Sequence, residues 1–188
     1  MLSLFNRIIK LTVFLSLVIF SVPQLVWATD AVQIDREVQT ALKTLYADSA
    51  VAKELAAEAK GILIFPDVIK AGIILGAHYG EGALLQNGET TGYYSTVAVS
   101  YGLQVGAQTF GYALIFMTDK DLDYLKSSSG WEVGVGPSIV VVDSGVAKAL
   151  TTTTARDNVY AFFFDQKGLM AGLGLQGSKI TRITPDQN

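Results

Sequence analysis

The stretch "YYSTVAVSYGLQVGAQ", residues 93–108, carries the reading of the fold. Its residues sort by twos. Tyr93, Val97, Val99, Tyr101, Leu103 and Val105 share one side, and Tyr94, Thr96, Ala98, Ser100, Gly102, Gln104, Gly106 and Gln108 share the other. A repeat of two belongs to a β-strand; a helix would repeat every 3.6 residues. Sixteen residues are long for one strand. The spacing therefore predicts a bend near Gly102 or Gly106.

The same character extends in both directions. "ILIF" (62–65) reads as a buried strand ended by Pro66. Asn87-Gly88 sits between two strand-like runs, a strong two-residue hairpin signal. "YALIFM", "WEVGVGPSIVVV", "VYAFFF" and "SKITRI" supply further strands. All 18 glycines lie at residue 61 or beyond, where they let strands bend and pack closely. "ILIFPDVIKAGIILG" (62–76) is faintly echoed by "AFFFDQKGLMAGLG" (161–174), either a trace of duplicated β-units or a likeness common to glycine-rich hairpins.

Helices are expected elsewhere. In residues 30–46, Ile34, Val38, Ala41, Leu42 and Leu45 recur at helical spacing. Asp48 or Ser49 would cap a second short helix, and Gly61 stands where a helix-terminating glycine would. "TDKDLDYLKSSSG" opens a later helix, with Thr118 and Asp121 in capping-box spacing. The fold expected is α+β: N-terminal helices packed on a strongly bent, Gly-rich antiparallel β-sheet, forming two sheets or a partly closed barrel.

Residues 1–28 read as a signal peptide. Arg7 and Lys10 precede a 12-residue apolar run (11–22), Pro23 breaks it, and Val26 and Ala28 stand at −3 and −1. The expectation is an exported protein of the periplasm or cell envelope, cut after Ala28; an uncleaved anchor is the alternative. Residues 29–188 then form a single domain, large enough for a real core. With no cysteine, that domain has no disulfide framework and no thiolate zinc site. The whole chain has 14 Lys+Arg and 17 Asp+Glu, so losing Arg7 and Lys10 moves the formal charge from −3 to −5. Such a domain is a poor general binder of nucleic acid or of an anionic membrane, because both are polyanions. An anionic partner would need a local basic patch.

Catalytic sets are scarce. "GLGLQG" (172–177) has dinucleotide-loop spacing, but the 11 residues that follow leave no room for the helix, strand and acidic residue that such a fold requires. Asp119, Asp121 and Asp123 imitate a calcium loop, yet Tyr124 and Gly130 stand where its glycine and glutamate belong. His78 is the one histidine, and no serine lies in a nucleophile elbow. Glu81 and Glu132 are the acids considered for glycoside chemistry. No catalytic residue, cofactor or metal is expected. Lys167, Lys179 and Arg182 cluster near the C-terminus, with Lys179, Thr181 and Ile183 on one strand face and Arg182 on the other.

Six segments carry a family resemblance: "AKGILIFPDVIKAG" (59–72), "YGEGALL" (79–85), "GYYS" (92–95), "GLQVGAQTFGYALIFMT" (102–118), "WEVGVGPSIVVVD" (131–143) and "VYAFFFDQKGLMAGLGLQGSKITRI" (159–183). Together, over about residues 45–184, they resemble the SYLF domain, a lipid-binding family also called the actin-binding domain of yeast actin-patch proteins. The resemblance implies binding of phosphoinositide or other anionic phospholipid head groups at a membrane surface, without catalysis. Lys60, Lys70, Lys167, Lys179 and Arg182 are the candidate lipid-binding residues. Actin enters only through the family's name and is not expected as a partner of an exported protein. The helix ahead of the domain departs from a basic membrane-engaging segment, because Asp30, Asp35 and Glu37 oppose Arg36 and Lys43. Two other functions remain open: a structural or protein-interaction module of the cell envelope, and a hydrolase using His78.

Overall fold

A computed structural model describes residues 30–72, 75–101, 106–142, 157–168 and 177–186. Helix α1 (Ala31–Asp48) starts at Asp30, whose side chain accepts a hydrogen bond from the Val32 N–H at 3.1 Å. Its buried stripe is Ile34, Val38, Ala41 and Leu45, the spacing of one helical face. Of the two caps considered for the next helix, Ser49 takes the role: its hydroxyl accepts from the Ala52 N–H at 3.1 Å and opens α2 (Ala50–Glu58). Gly61 does not end that helix. The chain leaves it at Ala59 with extended backbone, and Gly61 begins a strand. A Cβ there would lie 3.0 Å from Leu122 Cδ1, tighter than ordinary packing.

The strands are β1 (Gly61–Gly72), β2 (Leu75–Gln86), β3 (Glu89–Tyr101) and β4 (Gly106–Phe116); then, after helix α3 (Asp119–Ser127), β5 (Trp131–Glu132), β6 (Ile139–Val142), β7 (Val159–Gly168) and β8 (Lys179–Ile183). They form one sheet in the order β5-β8-β3-β2-β1-β4-β7-β6. Pairing is antiparallel except between β6 and β7, which run parallel. Asn87 and Gly88 make the β2–β3 hairpin turn, both with positive φ. Thr118 caps α3, accepting from the Asp121 N–H at 3.3 Å. The period-two run of residues 93–108 supplies the end of β3 and the start of β4. Of its two expected bend positions, Gly102 lies outside the described residues and Gly106 opens β4.

The sheet curls into a half-barrel. Trp131 on β5 lies 5.9 Å, centroid to centroid, from Phe116 on β4, although four strands separate β5 from β4 in the sheet. The inner face buries Leu63, Phe65, Leu84, Tyr112, Leu114 and Trp131, with Leu122 and Leu125 of α3 among them. The outer face packs Ile62, Ile64, Ile115, Tyr160 and Phe162 under α1 and α2. Asp35 latches α1 to β3 by accepting from Thr90 Oγ1 at 2.8 Å and the Tyr93 hydroxyl at 3.1 Å. This is the expected α+β architecture, and of the two sheet arrangements considered it is the partly closed barrel.

Glycine makes the curl possible. β1 does not stop at Pro66; it runs through, with a bulge at Phe65 and Pro66, where the absent proline N–H costs no ladder bond. Neighbouring strands close in on the bulge. A Cβ on Gly82 of β2 would lie 2.0 Å from the Ile64 carbonyl oxygen, and one on Gly111 of β4 would lie 2.8 Å from that of Pro66. β7 also shifts register against the same part of β4, next to Asp165 with φ 48°. Residues 62–72 and 161–168 of the two echoing segments thus lie in the two bulged strands that flank β4.

Candidate functional site

Beyond the bulge, the outer face loses its helical cover. Lys167 on β7, Thr109 on β4, Ile69 on β1, Tyr79 on β2, Val97 on β3 and Lys179 on β8 stand opposite one another in register. Directly opposed residues share a face, so these six form one row across the barrel wall. Ile69, Tyr79 and Val97 are 59 %, 50 % and 42 % exposed. The next row outward, Ala107, Ala71, Ala77 and Val99, is also exposed and carries no charge. A sheet face turned to water is normally polar. This one is apolar for two rows, with a lysine at each end of the first. Five inter-strand steps of about 4.8 Å separate those lysines by about 24 Å along the wall.

On the helix side, the patch stops at acids. Asp67 and Glu81 pair across β1 and β2 in the adjoining row. Tyr79 turns its hydroxyl to Glu81 and donates to Oε1. Burial, that hydrogen bond and the carboxylate charge together push the tyrosine up to about 12, so the hydroxyl stays protonated. A cleft of about 150 Å³ at this border is lined by Ile34 and Glu37 of α1 together with Ile69 and Tyr79. The first turns of α1 therefore end beside the exposed row.

The five cations expected to bind lipid do not gather in one place. Lys167 and Lys179 stand at opposite ends of the outer row. Lys167 is also paired with Asp165 at 2.9 Å, and both are well exposed. Lys70 belongs to the inner face, in register with His78 and Gln108. Arg182 lies opposite Tyr94, also toward the inner face, and its positive charge partly offsets the burial that raises the Tyr94 hydroxyl. Lys60 sits at the other end of the sheet, between α2 and β1, where its carbonyl accepts from Gln86 Nε2 at 3.2 Å.

His78 has a partner that spacing could not show. Its Nε2 lies 3.3 Å from the hydroxyl of Ser178, one hundred residues later. A serine beside a histidine invites comparison with a nucleophile and base. The environment is wrong for that chemistry. Ser178 is fully buried, His78 is 7 % exposed, and the charged side chain set against the ring is the cation Lys70 rather than an acid. A triad needs a carboxylate to stabilise the imidazolium, whereas burial and Lys70 here push the histidine down.

Four residues of the outer strip, Ile69, Tyr79, Val97 and Val99, were not marked by sequence reasoning. For Val97 and Val99 the available signal was the apolar side of the period-two run, which a buried strand would show equally well; Ile69 and Tyr79 lie outside that run. Gln108 and Ser178 were likewise unmarked, because single polar residues in apolar strands show no pattern. Of "GLGLQG", only Gly177 lies within the described residues; its N–H donates to the Val133 carbonyl at 3.1 Å. Among the described residues no helix is long and apolar enough to cross a membrane.

Residues 97–187 match the family model Ysc84, described as "Las17-binding protein actin regulator". Over these residues the chain matches the SYLF family of the resemblance. No individual curated protein matches it. The matched segment runs from the middle of β3 to the end of β8. In the sheet, β1 and β2 stand between β3 and β4, so residues 61–96, outside the matched segment, complete the half-barrel.

Proposed function

We propose that this chain is an exported, non-enzymatic domain that docks on the anionic phospholipid head groups of a membrane surface. One observation carries the reading: the outer row in which exposed Ile69, Tyr79 and Val97 lie between Lys167 and Lys179. A bilayer interface matches that order of chemistry. Apolar side chains enter the acyl boundary, a tyrosine sits at head-group level, and flanking lysines extend their ammonium groups to phosphates. Each lysine near an anionic surface contributes about 1 kcal/mol, falling with added salt. Asp67 and Glu81 border the strip and repel the same surface, which confines the contact to the two apolar rows. Apolar insertion then provides most of the affinity. The N-terminal helix contributes none of it, since its apolar stripe is spent on the core.

Vesicle flotation tests the reading. The protein cut after Ala28 should float with phosphatidylglycerol, cardiolipin or phosphatidylinositol vesicles at low salt and much less with phosphatidylcholine. Replacing Ile69 and Val97 together by serine should weaken binding at least tenfold. No flotation on any anionic vesicle overturns it. N-terminal sequencing of the exported protein checks the cleavage, and a chain still beginning at Met1 refutes it.

A second reading, an envelope protein-interaction module, is supported by β6. This apolar edge strand, Ile139–Val142, has Val141 46 % exposed, and an open edge is a template for another chain. A partner recovered equally from lipid-extracted envelopes, together with absent flotation, would favour it. The hydrolase reading is the weakest, because the charged side chain set against the His78–Ser178 pair is the cation Lys70 rather than a carboxylate.

A further inference from the structure

One row of the inner face sets three polar side chains side by side. Gln108 on β4, Lys70 on β1 and His78 on β2 stand in register, and Ser178 holds its hydroxyl 3.3 Å from the His78 ring. Gln108 is 2 % exposed, and neither its Nε2 nor its Oε1 has a hydrogen-bond partner. Elsewhere on the same face the chemistry is closed: the Tyr112 hydroxyl donates to Thr96 Oγ1 at 2.8 Å, with both residues fully buried. A buried amide left with both ends unmet costs stability that a leucine of similar size would not. Such a group in a native interior calls for an explanation, and an absent ligand is one.

We infer that Gln108, Lys70 and Ser178 form a binding site for a phosphoryl oxyanion that carries a neighbouring hydroxyl, the chemistry of a phosphoglycerol group. Lys70 supplies the positive charge. Gln108 Nε2 and the Ser178 hydroxyl donate to phosphoryl oxygens, and Gln108 Oε1 accepts from the ligand's hydroxyl. His78 is a positioning residue that orients Ser178. Lys70 is the half-buried member of the row, so it marks the side from which a solute enters. This site deepens the lipid reading by giving a head group a seat on the inner face, opposite the exposed strip. It uses none of the strip's residues, so the two can fail separately.

The test titrates purified protein with glycerol 1-phosphate, inorganic phosphate and plain glycerol, following the His78 ring resonances and the thermal midpoint. Glycerol 1-phosphate should give a saturable shift and raise the midpoint. Inorganic phosphate should bind at least threefold more weakly, and glycerol should have no effect. Gln108→Leu should fold with an equal or higher midpoint in the absence of ligand, yet bind glycerol 1-phosphate at least tenfold more weakly. Ser178→Ala should weaken binding as well. No saturable response to either phosphate overturns the site, as does unchanged binding in both variants; equal binding of the two phosphates overturns the hydroxyl contact. Retained glycerol 1-phosphate binding in a protein whose vesicle flotation has been lost through Ile69 and Val97 supports the site independently of the strip.

Discussion

The two ends of β1 obey different rules. From Gly61 to Phe65 every residue is buried, because the inner core covers one face and helices α1 and α2 cover the other. From Asp67 to Gly72 only Val68 is buried, and Ile69 stands in the open. The Phe65–Pro66 bulge divides the two regimes. β2 follows the same course: Ala83, Leu84 and Leu85 are enclosed, while Ala77 and Tyr79 are exposed. Apolar side chains on the covered half are explained by the core. On the bare half nothing among the described residues rewards them, and the proposed membrane contact would.

The largest effect should come from exchanging like for like across that divide. Ile64 is fully buried under α1, and Ile64→Ala should cost about 2–5 kcal/mol in urea unfolding through lost burial and the cavity left behind. Ile69→Ala should change stability by less than about 0.5 kcal/mol while weakening vesicle binding. A comparable loss of stability from Ile69→Ala would make the bare half part of the core after all.

The divide itself can be struck at Gly82. Its Cβ would meet the Ile64 carbonyl oxygen at 2.0 Å, and that oxygen belongs to backbone held in the ladder. Gly82→Ala should therefore force β1 and β2 apart and cost about 3 kcal/mol. Gly88→Ala makes the contrast. That residue has φ +84° in an open turn with nothing near its Cβ, so only the left-handed backbone resists, at about 1 kcal/mol. Similar melting temperatures for the two variants would mean that close approach at the bulge does not shape the barrel.

The contrast between Gly82 and Gly88 also shows what the sequence could disclose. Asn87-Gly88 announced its turn, since turn chemistry is local. Thr118 and Ser49 announced helix starts for the same reason. The crowding glycines gave only a count, because what each one touches is a carbonyl on another strand. Pro66 misled for a related reason: a proline ends a central strand unless a bulge absorbs it, and the bulge depends on Gly82 and Gly111 being opposite. The lysines of the site were visible as residues but not as an arrangement. Lys167 and Lys179 lie twelve positions apart in the chain and at opposite ends of a six-strand row. Only the strand order β8-β3-β2-β1-β4-β7 puts apolar residues between them.

The inner and outer faces should also respond differently to acid. His78 is the one histidine of the chain, and burial with Lys70 beside it pushes its ring below the ordinary 6.5. In the unfolded chain the ring takes up its proton near 6.5, while in the folded chain it does so only at lower pH. Between those values the unfolded state binds more protons, so stability falls as pH falls through this window. The slope should reach at most about 1.4 kcal/mol per pH unit. His78→Phe should remove this step and leave only the carboxylate titration below about pH 5. An unchanged slope in that variant would mean that the ring is not buried as a neutral group.

The smallest effect on folding is expected from the ends of the outer row. Lys167 and Lys179 are exposed, and the Lys167 contact to Asp165 is a surface pair, of a class that contributes little to stability. Lys167→Gln with Lys179→Gln should therefore shift the unfolding midpoint by little more than measurement error. On anionic vesicles the same double variant should bind roughly fivefold more weakly for each lysine replaced, and its binding should depend less on salt. Binding to zwitterionic vesicles, driven by Ile69, Tyr79 and Val97, should hardly change. The two halves of the row thus give separable signatures, one sensitive to salt and one to apolar area. If the lysine variant lost anionic and zwitterionic binding together, the ammonium groups would be serving the fold of the strip, and the row would have to be read as structure.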